Sequence, residues 1–106
     1  MTVLAEIALF TPDVDATVEF YERVLTRPPA SRWPGGATFD LDGITLLIHE
    51  QGEQAAEGMP PNVDHVAFRV ADLDGDAARL NTEAADYPWG RSAYLHDPDG
   101  RLVELQ

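Results

Sequence analysis

Two stretches of the chain repeat each other at an offset of 59 residues, and nothing else in the sequence constrains the fold as tightly. Glu6-Ile7-Ala8-Leu9-Phe10-Thr11-Pro12-Asp13-Val14-Asp15 lines up with His65-Val66-Ala67-Phe68-Arg69-Val70-Ala71-Asp72-Leu73-Asp74. Ala8, Asp13 and Asp15 recur as Ala67, Asp72 and Asp74, and Ile7, Leu9 and Val14 recur as Val66, Phe68 and Leu73. Each copy reads as a strand, a turn and a helix start, with an Asp placed to accept from the free N–H groups of the helix. The copies also agree at their ends. Asp42-Gly43-Ile44-Thr45-Leu46-Leu47 matches Asp99-Gly100-Arg101-Leu102-Val103-Glu104 at an offset of 57, each a Gly-containing turn followed by a strand. A half of ~50 residues is too small to bury its own sheet face. Two copies therefore pack about a pseudo-twofold, giving an α+β fold with helices outside and a curved mixed sheet around a cup.

With 106 residues the chain makes one domain. The first module covers 1–50, Gln51–Pro61 is a linker, and the second module covers 62–106. Val14, Val18, Tyr21 and Leu25 form one apolar stripe and predict a helix over Val14–Leu25. A shorter helix is expected over Leu73–Leu80. Arg27–Gly36, with three prolines and two glycines, reads as a long loop.

Strand side chains alternate between faces. In the first strand Val3, Ala5, Ile7 and Leu9 suit the face under a helix, so Glu6, Ala8 and Phe10 face the cup. By the repeat, His65 faces it too, with Val63, Ala67 and Arg69. In the last strand Val103 and Leu105 are the core set, so Glu104 and Gln106 face the cup. Glu6, His65 and Glu104 thus converge, each where a strand would ordinarily carry an apolar residue. One imidazole and two carboxylates suit Mn, Fe(II), Ni, Co or Zn, with positions left open for a substrate. Taken singly, each has a plainer explanation: an edge-strand charge for Glu6, a hydrogen-bonded core histidine for His65, an ion pair with Arg69 for Glu104. The repeat partner of Glu104 is Leu47, which coordinates nothing. His49, two residues on, replaces it only if the strand shifts. Ser92 and Tyr94 are placed for hydrogen bonds to a ligand, whereas His96 reads as a surface residue beside a turn.

Charge narrows the partners. Seven Lys+Arg, all of them Arg, stand against 19 Asp+Glu, a net charge of −12. Nucleic acid needs a basic footprint that this chain lacks, and anionic membranes are disfavoured for the same reason. Divalent cations and cationic small molecules suit the field, although acidity also serves solubility alone. No apolar run approaches the ~20 residues of a membrane span. The first residues carry no basic stretch, so no signal peptide is expected, and there is no Cys to form a disulfide. A cytoplasmic protein fits best.

The residues also resemble a known superfamily, the vicinal oxygen chelate proteins or glyoxalase/bleomycin-resistance/dioxygenase group. The resemblance spans nearly the whole chain. It rests on Asp13…Phe20-Tyr21…Val24-Leu25, on His65-Val66-Ala67-Phe68, and on Ser92-Ala93-Tyr94-Leu95-His96-Asp97-Pro98-Asp99-Gly100…Glu104-Leu105. It implies paired βαβββ modules forming a cup around a divalent metal, with ligand positions at Glu6, Leu47, His65 and Glu104. His or Gln is commoner at the first position, so Glu6 is a departure, and Leu47 rules out the four-ligand pattern of glyoxalase I. Three-ligand members include extradiol dioxygenases and fosfomycin-resistance transferases. Ser92-x-Tyr94 resembles the latter, but basic residues to hold a phosphonate are sparse. Members also place a full strand where only Asn81–Pro88 stand here. That strand should be short or absent, leaving the second module shortened and one side of the cup open.

Two functions remain in view. One is a metal-dependent lyase, isomerase or dioxygenase acting on a small substrate with vicinal oxygens, in which Glu6 or Glu104 doubles as general base. The other is a metal-free, antibiotic-type binding protein, with Phe10, Trp33, Trp89 and Tyr94 stacking on an aromatic cation. Packing alone is the plainer role for the two tryptophans. A homodimer is expected, because sheet edges and cup rims stay unclosed and twofold pairing is the commonest oligomer.

Overall fold

The computed structural model describes residues 1–52 and 57–106. The middle of the expected linker, residues 53–56, lies outside the described residues. The first module runs β1 (Val3–Thr11), α1 (Val14–Leu25), β2 (Ser31–Trp33), β3 (Gly36–Leu41) and β4 (Ile44–Glu50). The second runs β5 (His65–Arg69), α2 (Leu73–Arg79), β6 (Ala84–Tyr87), β7 (Gly90–His96) and β8 (Leu102–Leu105). Each is a βαβββ unit, as the repeat requires.

All eight strands join one sheet in the order β2-β3-β4-β1-β5-β8-β7-β6. The two modules meet where β1 pairs antiparallel with β5. Ile7 pairs with its own repeat equivalent, Val66, so the pseudo-twofold passes between them. Glu6 lies opposite Ala67, and His65 opposite Ala8, an exchange that follows from the same axis. Each inner strand then pairs in parallel with the last strand of its module, β1 with β4 and β5 with β8. The cup is therefore built within one chain.

The helices form as their sequences dictate. Asp13 accepts from Ala16 N at 3.0 Å and Asp72 from Gly75 N at 3.1 Å, so both repeat-related aspartates are N-caps. Val18 is buried against Ala37, Phe39, Leu46 and Ile48, with Val14, Tyr21 and Leu25 packed beside it. Under α2 a smaller core holds Ala77, Ala93 and Leu105. Ile7 and Leu9 join the first core as expected, but Val3 is exposed. The cause is local: the β1–β5 register slips between Leu4 and Glu6, leaving Ala5 as an extra residue. Such a bulge twists its strand and re-aims the neighbouring side chain, here Glu6.

One segment differs from expectation and a second meets it. Within Arg27–Gly36 a three-residue strand forms, and Trp33 pairs with Gly36 across a Pro34-Gly35 turn. Between Leu80 and Trp89 the strand is short, as expected, and Tyr87 pairs with Gly90 across Pro88-Trp89. Trp33-Pro34-Gly35-Gly36 and Tyr87-Pro88-Trp89-Gly90 are equivalent hairpins in the two modules. The second brings Trp89 into the lining of the cup. Among the described residues no helix is long and apolar enough to cross a membrane.

Candidate metal centre

The cup encloses about 500 Å³, within the usual range for a small-molecule site. Glu6 of β1, His65 of β5 and Glu104 of β8 lie together in it. Each offers a ligand atom, and these atoms all lie within 4.8 Å of one another. Donors ~2.0–2.2 Å from one ion stand roughly 3–3.5 Å apart, so a small inward movement of one carboxylate completes the geometry. Ala8 and Ala67, both fully buried, pair across the strands from His65 and Glu6 and leave the floor uncrowded.

The hydrogen bonds fix the chemistry of His65. Its Nδ1 lies 2.8 Å from the Val63 carbonyl oxygen, which only accepts, so Nδ1 carries a proton. Nε2 lies 3.1 Å from Glu104 Oε1, with both side chains buried. A neutral imidazole would then aim a lone pair at a carboxylate. That arrangement is relieved only by a proton or a cation between the two atoms. Burial alone lowers the pKa of His65, but the hydrogen bonds to Glu104 and Val63 and the nearby carboxylates outweigh it, and the net shift is upward. Glu6 is also raised, first by burial, then by the charge of Glu104, against a pull from His65. The donor set fits a divalent ion: the tautomer is held by a backbone carbonyl, as metal-binding histidines require.

Ser92 is not a wall of the cup. It is 1% exposed and donates to Glu104 Oε2 at 2.9 Å, so it orients the carboxylate from behind rather than meeting a ligand. Glu104, 4% exposed, thereby has a partner on each oxygen. Arg69 ends β5 and lies beyond the cup. It is exposed, paired with Val3 beyond the bulge, and forms no ion pair with Glu104. Tyr94 does line the cup, its hydroxyl titration raised by burial and then by the Glu104 charge. Phe10, Trp33 and Trp89 line it too. Trp89 stacks on Tyr87 at 4.9 Å and 3°, and Tyr87 meets Tyr94 edge-on at 5.6 Å. His96 is exposed, as read from the sequence.

His49 and Leu47 both face the cup. Leu47 pairs with Ala8 just as Glu104 pairs with Ala67, so the leucine stands where twofold symmetry would put a second carboxylate. His49 is outside the ligand group, in line with the unshifted register. No Arg lines the cup among the described residues. Six of the seven arginines are tied elsewhere: Arg27 to the Asp40 carbonyl, and Arg23, Arg32, Arg79, Arg91 and Arg101 to carboxylates.

Paired βαβββ modules around a cup, with an imidazole and two carboxylates gathered in its floor, define a protein of the vicinal-oxygen-chelate class. The chain belongs to the Glyoxalase/Bleomycin resistance protein/Dioxygenase superfamily, whose family model matches residues 3–105. The metallothiol transferase FosB of Shouchella clausii is 29% identical over 104 aligned residues, covering 88% of this chain and 71% of that protein. That of Bacillus licheniformis is 28% identical over 103 residues, covering 88% and 67%. A Streptomyces coelicolor methylmalonyl-CoA epimerase, solved in complex with 2-nitronate-propionyl-CoA, superposes with a TM-score of 0.71 at 27% identity, over 99% of this chain and 93% of that one.

Proposed function

We propose that the chain is a divalent-metal-dependent enzyme acting on a small substrate with vicinal oxygens. One observation carries this reading: His65, locked by Val63 into the Nδ1–H tautomer, faces Glu104 and Glu6 with its free nitrogen. Glu6, His65 and Glu104 hold the ion. Bound there, the ion supplies Lewis acidity to an oxygen of the substrate. The similarity to a metallothiol transferase and the likeness to an epimerase support metal-assisted chemistry on a small molecule.

The cup's own residues narrow the substrate. With no Arg in the lining, no fixed cation receives a phosphonate or phosphate. Phe10, Trp33 and Trp89 offer apolar faces to a flat, uncharged body. Ser92, by holding Glu104, leaves Glu6 as the carboxylate free to adjust.

A second reading, metal-free capture of an aromatic cation, is favoured by the aromatic walls beside two carboxylates. Metal analysis of protein purified without chelator or affinity tag separates the two. About one equivalent of a transition ion, with tight rebinding after removal, is the expected result. Metal-free protein that also fails to take up Mn, Fe(II), Co, Ni or Zn leaves only the second reading.

A further inference from the structure

Among the described residues His49 and Tyr94 are the titratable cup-lining residues that the ligand group does not use, and of the two only His49 offers a ring nitrogen. Its Nδ1 lies 2.7 Å from the Glu50 carbonyl oxygen. That oxygen only accepts, so Nδ1 carries the proton and Nε2, the nitrogen farther from the backbone, keeps its lone pair. The His49 ring leans on Phe10 at 5.3 Å and 47°, and Phe10 stacks on His65 at 6.0 Å and 29°. One phenyl ring therefore spaces two imidazoles, each with its tautomer set by a backbone carbonyl. His65 belongs to the second module and His49 to the first, where Leu47 and Trp33 otherwise make the wall apolar.

We infer that His49 is the proton acceptor of the site, for a flat, uncharged substrate bearing vicinal oxygens of which one is a weakly acidic O–H. The inference rests on the metal reading above. The two carboxylates are poor candidates. Both oxygens of Glu104 are engaged by Ser92 and His65, and Glu6 is needed as a ligand. In the step, the substrate O–H bond breaks, an Nε2–H bond forms on His49, and the electron pair stays on the substrate oxygen. No electrons are transferred. His65, which stacks on Phe10, and Asp64, which accepts from Phe10 N at 2.8 Å, are the other titratable groups gathered about the same phenyl residue.

Benzohydroxamic acid, with vicinal oxygens, one acidic N–OH and a flat ring, is a suitable probe. Its binding to the Zn²⁺-loaded protein is followed by titration calorimetry at about pH 7.5. Buffers of different ionisation enthalpy reveal the number of protons released. The wild type should release close to none, because His49 retains the proton. His49→Gln, and His49→Phe, which preserves the ring packing, should each release about one proton per probe bound. Zn²⁺ affinity should be unchanged in both variants. Equal proton release by wild type and variants overturns the inference, and so does a loss of Zn²⁺ affinity, which would make His49 a ligand. Failure of the wild type to bind Zn²⁺, or of the Zn²⁺-loaded wild type to bind the probe, overturns the metal-chelation reading and this inference with it.

Discussion

Ser92 donates its hydroxyl proton to Glu104 Oε2 at 2.9 Å from a position sealed inside the sheet. The bond sets which carboxylate oxygen is left for His65 and the cup. Ser92→Ala removes it and leaves a buried carboxylate oxygen without a partner, which costs about 1–3 kcal/mol of stability. Metal affinity should also fall roughly 10–100-fold, the usual effect of losing a partner that orients a ligand. Thermal melts and metal titration of the same variant check both numbers. Full metal affinity in Ser92→Ala would place the serine outside the site's support.

Glu6→Ala tests the two functional readings directly. As a metal ligand, Glu6 is worth more than an orienting partner, so metal affinity should drop by at least ~100-fold. Trp89→Ala should leave metal binding intact and weaken an aromatic ligand instead, by about 0.5–1.5 kcal/mol beyond the lost area. If the site only attracts cations, the pattern inverts. Glu6→Ala then costs roughly 0–1 kcal/mol of ligand affinity, and Trp89→Ala costs more.

Stability of the metal-free protein should fall as pH rises from about 5 to 8. Glu6 and His65 both hold their protons more tightly when folded. For His65 the stabilisation is complete below the ordinary value of 6.5 and is lost as pH climbs through the raised folded value. For Glu6 a penalty builds above its ordinary value of 4.5, where the unfolded chain ionises first. The double variant Glu6→Gln, His65→Gln should therefore lose less Tm than the wild type across this range. Added Zn²⁺ should reverse the trend, because it competes with protons for the same atoms. A Zn²⁺-induced rise in Tm that shrinks with increasing pH contradicts the assigned ligands.

Gly36 carries Trp33 against the rim. A Cβ at Gly36 would lie 2.4 Å from the Ile48 carbonyl oxygen and 2.7 Å from Trp33 Cζ2. Neither the strand nor the indole yields without cost, so Gly36→Ala should destabilise the protein by about 1–3 kcal/mol. It should also shift the emission of Trp33, read cleanly in a Trp89→Phe background. An unchanged spectrum and melt would mean that the hairpin is looser than it stands.

A homodimer at micromolar concentration is the expected assembly. Phe20 and Val24, one turn apart on α1, are both exposed, as are the outer edges of β2 and β6. Sedimentation velocity showing a monomer would contradict it. The cup, complete within one chain, should keep its metal affinity in either case.

The repeat carried most of the fold because its signals are local. Asp13 and Asp72 cap helices through their own side chains, and the Val14–Leu25 stripe follows from helical period alone. Glu6, His65 and Glu104 were legible because alternation and the offset place them on one face. Where alternation failed, a non-local event intervened. The slip at Ala5 depends on how β1 registers with β5, and it separates Val3 from the face that counting assigns it. Ser92 shares a face with Tyr94, yet its short side chain stops at Glu104 beneath the cup surface. His49 was placed on the correct face, but a bond to its own strand's carbonyl, invisible in spacing, gives it an open nitrogen. The two Pro-containing hairpins went unrecognised because their prolines read as loop punctuation, while Trp33–Gly36 and Tyr87–Gly90 pairing makes them strand ends.

The β1–β5 junction makes the site a property of two halves in register. Glu6 travels with the first half, His65 and Glu104 with the second, and β1 and β5 are all that hold those halves edge to edge in the sheet. Unzipping that single pair of strands disperses the donors while leaving each half's own strands paired. The earliest opening of the molecule at this junction would then be reported by ion release before any helix melts, and an occupied site would slow amide exchange first at Ile7 and Val66.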